Sequence, residues 1–212
     1  MTDGVSGKSF IRRLSVWPAD AEFTANPASP ELTFIDPLLR RRLSSISKMT
    51  IQVIHGLLPV EEDTKIIFLS FRGELSKQYK INMMQIGEKT ITPAAFSFSV
   101  FNTPPAMATM ALDLKGGYSA IYPDENCFTA GLKAAHAALV SGTQEELIFV
   151  YADEEVPAEY KALLSECPPA FAFALLLSRK NGPVPFLSGD TTTSPLDFLN
   201  MLLQNGKIHA AS

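Results

Sequence analysis

Three stretches of this chain run almost without polar interruption: Lys65-Ile66-Ile67-Phe68-Leu69-Ser70, Leu147 to Tyr151 and Phe171 to Leu177. A strand with one wet face alternates apolar and polar residues. Short β-prone runs without that alternation suit strands covered on both faces, so helices must lie above and below the sheet they form. None of the three approaches the roughly 20 apolar residues of a membrane-crossing helix. The second and third runs are candidate sheet neighbours, separated by the polar, proline-broken stretch Ala152 to Pro169.

The remaining segments alternate with these runs. Phe10 to Trp17 reads as an opening strand, followed by a Pro- and Ala-rich loop from Pro18 to Pro30. Asp36-Pro37 is a helix start, because an Asp side chain accepts from orphan amides and Pro suits the first helical position. Leu39, Leu43, Ile46, Val53, Ile54 and Leu57 then recur at helical spacing and predict one helix up to Gly56. A second amphipathic stretch covers Leu75 to Ile86, and the uncharged run Ala106 to Leu112 suits a buried helix. Tyr118 to Tyr122 reads as a strand, Pro123-Asp124 opens a helix through Val140 with Gly142 as its stop, and Pro195 to Gln204 forms a last helix. This succession predicts an α/β fold with a buried, partly parallel sheet. With 212 residues, 46% of them hydrophobic, and no linker or repeat, residues 1–212 are expected to form one domain.

Charge and cysteine content narrow the function. Eighteen Lys and Arg against 22 Asp and Glu leave no diffuse positive field for sequence-independent nucleic-acid binding. Two cysteines, Cys127 and Cys167, build neither a disulfide framework nor a multi-cysteine zinc site, which fits a reducing cytoplasm. The N-terminal residues Met1 to Phe10 lack the apolar segment of a secretory signal. No Walker A loop, GxGxxG, GxSxG or HExxH signature is present, and His55, His136 and His209 lie in separate segments without metal-ligand spacing.

Cys127 is the candidate catalytic residue, since the first turn of the helix opened at Asp124 favours a thiolate. Asp124 and Glu125 oppose this with their negative charge, and a free cysteine is equally an ordinary core residue. Arg40, Arg41 and Arg42 form the one dense cationic run, suited either to docking an acidic partner or to a solvated face with local ion pairs. Phe96, Phe98, Phe101, Met107 and Met110 flank Pro104-Pro105 and suit either the wall of an acyl tunnel or ordinary core packing.

The strings IDPLLRRRLSSISKM, IIFLSFRGEL, TPAAFSFSVFN, AGLKAAHAAL and FVYADEEVP resemble, in order, the blocks of a short beta-ketoacyl synthase-like family related to the N-terminal half of ketosynthases. The resemblance spans about Phe34 to Leu177. It implies a thiolase-like ketosynthase fold, N-terminal half only, as a layered α/β arrangement with a mixed sheet. In full ketosynthases the nucleophilic Cys heads a buried helix, and two His of the second half complete the site. Matching Leu132 to the Leu that closes the nucleophile motif puts Phe128 at the nucleophile's place and Cys127 just before it.

The resemblance therefore implies a non-catalytic, chain-length-factor-like subunit that pairs with a full-length ketosynthase. The pair would elongate acyl chains held on the phosphopantetheine of acyl carrier protein, for an aryl polyene or related polyunsaturated product. The chain itself would bind no cofactor and no metal. Phe101 and Met107 are expected to bound the acyl chain, Tyr118, Ile121 and Tyr122 to meet the partner, and Arg40, Arg41 and Arg42 to dock the carrier protein. The alternative is a reduced condensing or acyl-transfer enzyme using Cys127.

Overall fold

The computed structural model describes residues 7–19, 29–87, 90–122, 124, 127–164, 169–186, 194–204 and 210–211. Each uninterrupted apolar run is a strand of one mixed sheet: β2 (Lys65–Leu69), β4 (Glu146–Asp153) and β5 (Phe171–Ser178). They are joined by β1 (Phe10–Trp17), β3 (Tyr118–Ile121), β6 (Val184–Pro185) and β7 (Ala210–Ala211). The order is β3-β2-β4-β5-β1-β6, with β7 also paired to β1. Strands β3, β2 and β4 are parallel, whereas β5 runs antiparallel to both β4 and β1. The neighbourhood of the second and third apolar runs is thus a full antiparallel ladder from Glu146 opposite Ser178 to Asp153 opposite Phe171.

The faces of the sheet differ in side-chain size, and this sorts the helices. Phe149, Tyr151, Phe171, Phe173, Leu175 and Leu177 point to one face, where α6 (Cys127–Val140) and α8 (Pro195–Gln204) cover them. Ile148, Val150, Ala152, Ala172, Ala174 and Leu176 point to the other. Small residues on that second face let α2 (Ser45–His55) sit close, with Ile46, Met49, Ile51, Val53 and Ile54 all wholly buried. Helix α5 (Thr103–Ala111) packs beside α2 on the same face. Each fully buried aliphatic or aromatic side chain contributes about 1.5–3 kcal/mol by leaving water, so the layered arrangement follows from the bulk on each strand face.

Two elements depart from the sequence reading. Instead of one helix from Asp36 to Gly56 there are two, α1 (Pro37–Arg42) and α2, broken at Leu43, whose backbone is extended at ψ 141°. Asp36 caps α1 through the amides of Leu38 and Leu39, as expected. Ser44 then caps α2 by accepting from the Ser47 amide, and Leu43 turns into the core, which preserves helical spacing across a break. Helix α6 is described from Cys127 to Val140, and Asp124 lies outside it. Pro123, Glu125 and Asn126, most of the loop from Pro18 to Pro30, and His209 lie outside the described residues. Gly142, at φ +77°, ends α6 as its sequence position implied.

Helix α3 (Leu75–Gly87) and the short helices α4 (Pro93–Ser97) and α7 (Ala158–Lys161) complete the described helices. Among the described residues no helix is long and apolar enough to cross a membrane. Helix α5 is buried on one side only, since Met110 is 69% exposed.

Candidate functional site

Loops that leave the carboxyl ends of parallel strands converge at one rim of a sheet, and here those of β2, β3 and β4 do so. The turn after β2, Ser70 to Glu74, is held by Asp153 at the end of β4. Asp153 is wholly buried; its Oδ1 accepts from Ser70 Oγ at 2.6 Å, Phe71 N at 3.1 Å and Arg72 N at 2.9 Å. Its Oδ2 accepts from Tyr151 Oη at 2.7 Å and faces Arg72 Nε at 3.3 Å. A carboxylate so fully engaged is a tie between strand ends and has no lone pair left for a substrate proton.

Two further acids lie beneath this rim. Glu154 is buried and accepts at Oε1 from the Ser76 amide in the first turn of α3, at 2.8 Å, and burial raises its pKa. Glu74 accepts at Oε1 from Ser44 Oγ at 2.7 Å and Ser47 Oγ at 2.9 Å, while its buried Oε2 has no partner among the described residues. Burial pushes the Glu74 carboxyl up to about 7, with the Glu154 charge adding to the rise and the two serines opposing it. The sequence reading placed Asp153 and Glu154 in a polar connector and passed over Glu74. Their burial depends on partners 78 to 83 residues away in the chain or on another helix, which no local pattern shows.

His55 and His136 take no part in this rim. His55 stacks on Phe34, 3.6 Å between centroids, and His136 Nδ1 meets Ser9 Oγ at 2.8 Å, at the start of β1. Among the described residues no group of three His, Cys, Asp or Glu side chains is placed to hold a metal ion. Cys127 is the first residue of α6, and its side chain lies outside the described residues.

Phe128, one residue on, is 3% exposed and ringed by Phe198 at 5.4 Å, Tyr151 at 5.9 Å, Phe149 at 6.2 Å and Phe173 at 6.4 Å. All four contacts are edge-to-face, the favoured geometry for aromatic quadrupoles. The head of α6 is therefore plugged by a ring.

The fold brings two groups of candidate residues together. Phe101, between α4 and α5, lies 6.0 Å edge-on to buried Phe68 and 5.3 Å from the ring of Tyr122, just past the end of β3. Met107 and Tyr118 pack into the same cluster, and Asn102 Nδ2 donates to Tyr118 Oη at 3.1 Å. Ile121 points to the opposite face, against the α6 side of the core. Phe96 and Met110 are 58% and 69% exposed and belong to no core cluster. Arg40, Arg41 and Arg42 stand apart on the last turn of α1, where Arg40 donates to the Glu31 carbonyl and Lys77 Nζ reaches the Arg42 carbonyl at 3.1 Å. Gly73 and Phe71, in the turn after β2, are site neighbours that the sequence reading missed.

A mixed sheet in this strand order, layered between α2 and α5 on one face and α6 and α8 on the other, defines the thiolase-like ketosynthase fold. Over residues 15–205 the sequence matches the family described as beta-ketoacyl synthase, N-terminal domain. The chain belongs to that family, and the match is wider than the stretch from Phe34 to Leu177 that the sequence blocks span.

Among solved structures, it is similar to a chain of the ketosynthase ApeO in complex with its chain length factor ApeC from Xenorhabdus doucetiae. That likeness has a TM-score of 0.69 and 22% identity, over 82% of this chain and 80% of the other. A chain of the ishigamide ketosynthase/chain length factor matches with a TM-score of 0.64 and 14% identity, over 84% of this chain and 64% of the other. A chain of the AntDE:AntF assembly, a type II acyl-carrier protein in complex with its ketosynthase bound to the hexaketide, matches at 0.64 and 12%, over 82% and 64%. The chain thus spans less than two thirds of the length of the latter two. No curated protein sequence matches it.

Proposed function

We propose that this chain is a non-catalytic, chain-length-factor-like subunit that pairs with a full-length ketosynthase in the cytoplasm and supports elongation of acyl chains on the phosphopantetheine of acyl carrier protein, in aryl polyene or related polyunsaturated biosynthesis. The observation that carries this reading is Phe128, whose ring fills the head of α6 where the resemblance to ketosynthases puts the nucleophile. Further support comes from the likeness to a chain of the ApeO–ApeC structure, which covers 82% of this chain and 80% of the other.

In this reading the edge strand β3 and Tyr118, Ile121 and Tyr122 meet the partner, since an edge strand offers unpaired amides and carbonyls. Phe101 and Met107 bound the acyl tail, and Arg40, Arg41 and Arg42 face the acidic carrier protein.

Co-expression with the ketosynthase should give one co-eluting species in size exclusion, with the β3 amides gaining protection from hydrogen exchange on assembly. The same run with carrier protein should show binding that fades as salt rises and with Arg41→Glu/Arg42→Glu. Separate elution of the two subunits sinks the reading. Turnover of malonyl- and acyl-carrier protein by the isolated chain, lost in Cys127→Ser, would favour the condensing-enzyme alternative.

Phe101→Ala and Met107→Ala are each expected to lengthen the products of the isolated complex without abolishing condensation. A purely packing role would lower yield and stability with product length unchanged.

A further inference from the structure

The Phe101 ring sits in a socket with walls of very different stiffness. On one side is Gly73, at φ +55°, where a Cβ would stand 2.6 Å from Phe101 Cδ2 and 3.2 Å from Cε2. Real Cβ atoms do not come that close, so the ring takes its present place because residue 73 has no side chain. That wall is rigid. The Gly73 amide donates to Ser70 Oγ at 2.7 Å, and Ser70 donates to the buried Asp153, which also holds the amides of Phe71 and Arg72. Shifting the turn would break several hydrogen bonds to a buried carboxylate, each dearer than a neutral one.

Below the ring lies Phe68, wholly buried in the core. The third wall is Tyr122, 5.3 Å away and 75% exposed at the end of the edge strand. A 75% exposed ring turns freely, whereas a packed core and a hydrogen-bonded turn do not. Of these three walls, Tyr122 is the one toward which Phe101 can be displaced.

From this socket we infer that Gly73 and Tyr122 are positioning residues that set how far the Phe101 ring extends, and through it the length of acyl chain the assembled complex accommodates. The inference rests on the reading of Phe101 as a boundary of the acyl tail. Gly73 sets the near limit, and Tyr122 the far one. Because Tyr122 belongs to the strand edge proposed to meet the ketosynthase, docking of that partner fixes the movable wall and with it the product length.

The test uses the complex of this chain with its ketosynthase, isolated by size exclusion, supplied with acyl- and malonyl-loaded carrier protein and read by mass spectrometry of the products. Gly73→Ala pushes the ring toward Tyr122 and should shift the most abundant product shorter by at least one elongation unit. Tyr122→Ala removes the far limit and lets the ring extend the same way, so it should also shift the product shorter, opposite to Phe101→Ala, and Tyr122→Phe, which keeps the ring, should leave the original distribution. In the double variant Gly73→Ala/Phe101→Ala no ring remains to be pushed, so its products should match those of Phe101→Ala alone.

If Gly73→Ala does not fold, because φ is positive there, the Tyr122 pair still decides the matter. Products unchanged in Tyr122→Ala while Phe101→Ala lengthens them overturn the socket and spare the boundary reading. Products unchanged in Phe101→Ala, or no complex at all, overturn the boundary reading and the inference with it.

Discussion

Phe128→Ala should lower the stability of the protein by about 3–5 kcal/mol, the range for truncating a fully buried phenylalanine. The ring is 3% exposed and touches four aromatic neighbours drawn from β4, β5 and α8, with interplanar angles between 68° and 87°. Its loss removes the apolar transfer energy and leaves a cavity that rigid rings close poorly. It also forfeits edge-to-face contacts worth about 0.5–1.5 kcal/mol each beyond burial. Against a typical total of about 5–15 kcal/mol, that is a large fraction.

Chemical denaturation should show a lower midpoint with an unchanged slope. Phe128→Cys should cost nearly as much and still confer no condensing activity, because its thiol would lie among rings, with His55 stacked on Phe34 and His136 engaged by Ser9. A loss below about 1 kcal/mol for the alanine variant would show that the ring does not hold the head of α6, and would remove the main support for a non-catalytic subunit.

Stability should fall as pH rises from about 5 to 8, and Glu74 should be a principal cause. Its carboxyl titrates near 7 in the folded protein against an ordinary value of 4.5. Between those values the folded chain holds a proton that the unfolded chain has released. Acid therefore favours the fold, and the advantage is lost as pH climbs through the folded value. At about 1.4 kcal/mol per pH unit, the full effect is at most about 3.5 kcal/mol, with the part below pH 5 falling outside this range. Glu154, also raised by burial, acts with the same sign.

Glu74→Gln keeps an acceptor for Ser44 and Ser47 but cannot ionise, so it should gain on the wild type by about 2.5 kcal/mol between pH 5 and pH 8. Denaturation followed by the fluorescence of Trp17, the single tryptophan, measures both proteins. A stability difference between the two that stays constant over that range would show that Glu74 does not titrate there.

The fold was legible wherever one local period decided it. Phe10–Trp17 and Pro195–Gln204 form as read, because strand and helix signals there are strong and their ends are marked by Pro or by polar residues. The break at Leu43 was not legible. Leu39, Leu43 and Ile46 keep helical spacing across it, and the carboxylate that engages Ser44 and Ser47 lies 30 and 27 residues further on. Of the site, Phe101, Met107 and the edge strand were found as separate features. Their meeting at the Phe101–Tyr122 contact was not, nor was Gly73, whose role exists only because a ring from another loop presses on it.

By itself the sequence determined the strands β1 to β5 and the main helices α3, α5, α6 and α8, that the sheet is covered on both faces, and the family to which the chain belongs. These follow from apolar periodicity, capping chemistry and motif order, all properties of neighbours in the chain. Tertiary structure alone decided the strand order β3-β2-β4-β5-β1 and which face of each uninterrupted apolar run meets α2 and which meets α6. It also decided that Asp153, Glu154 and Glu74 are buried while Tyr122 stays in solvent. The physical reason is that a run without polar residues has no wet side to mark its orientation, and a charged side chain is buried only where distant groups satisfy it. Those groups, Ser70 for Asp153 and Ser76 for Glu154, stand 83 and 78 residues away and come within reach only when β2 pairs with β4.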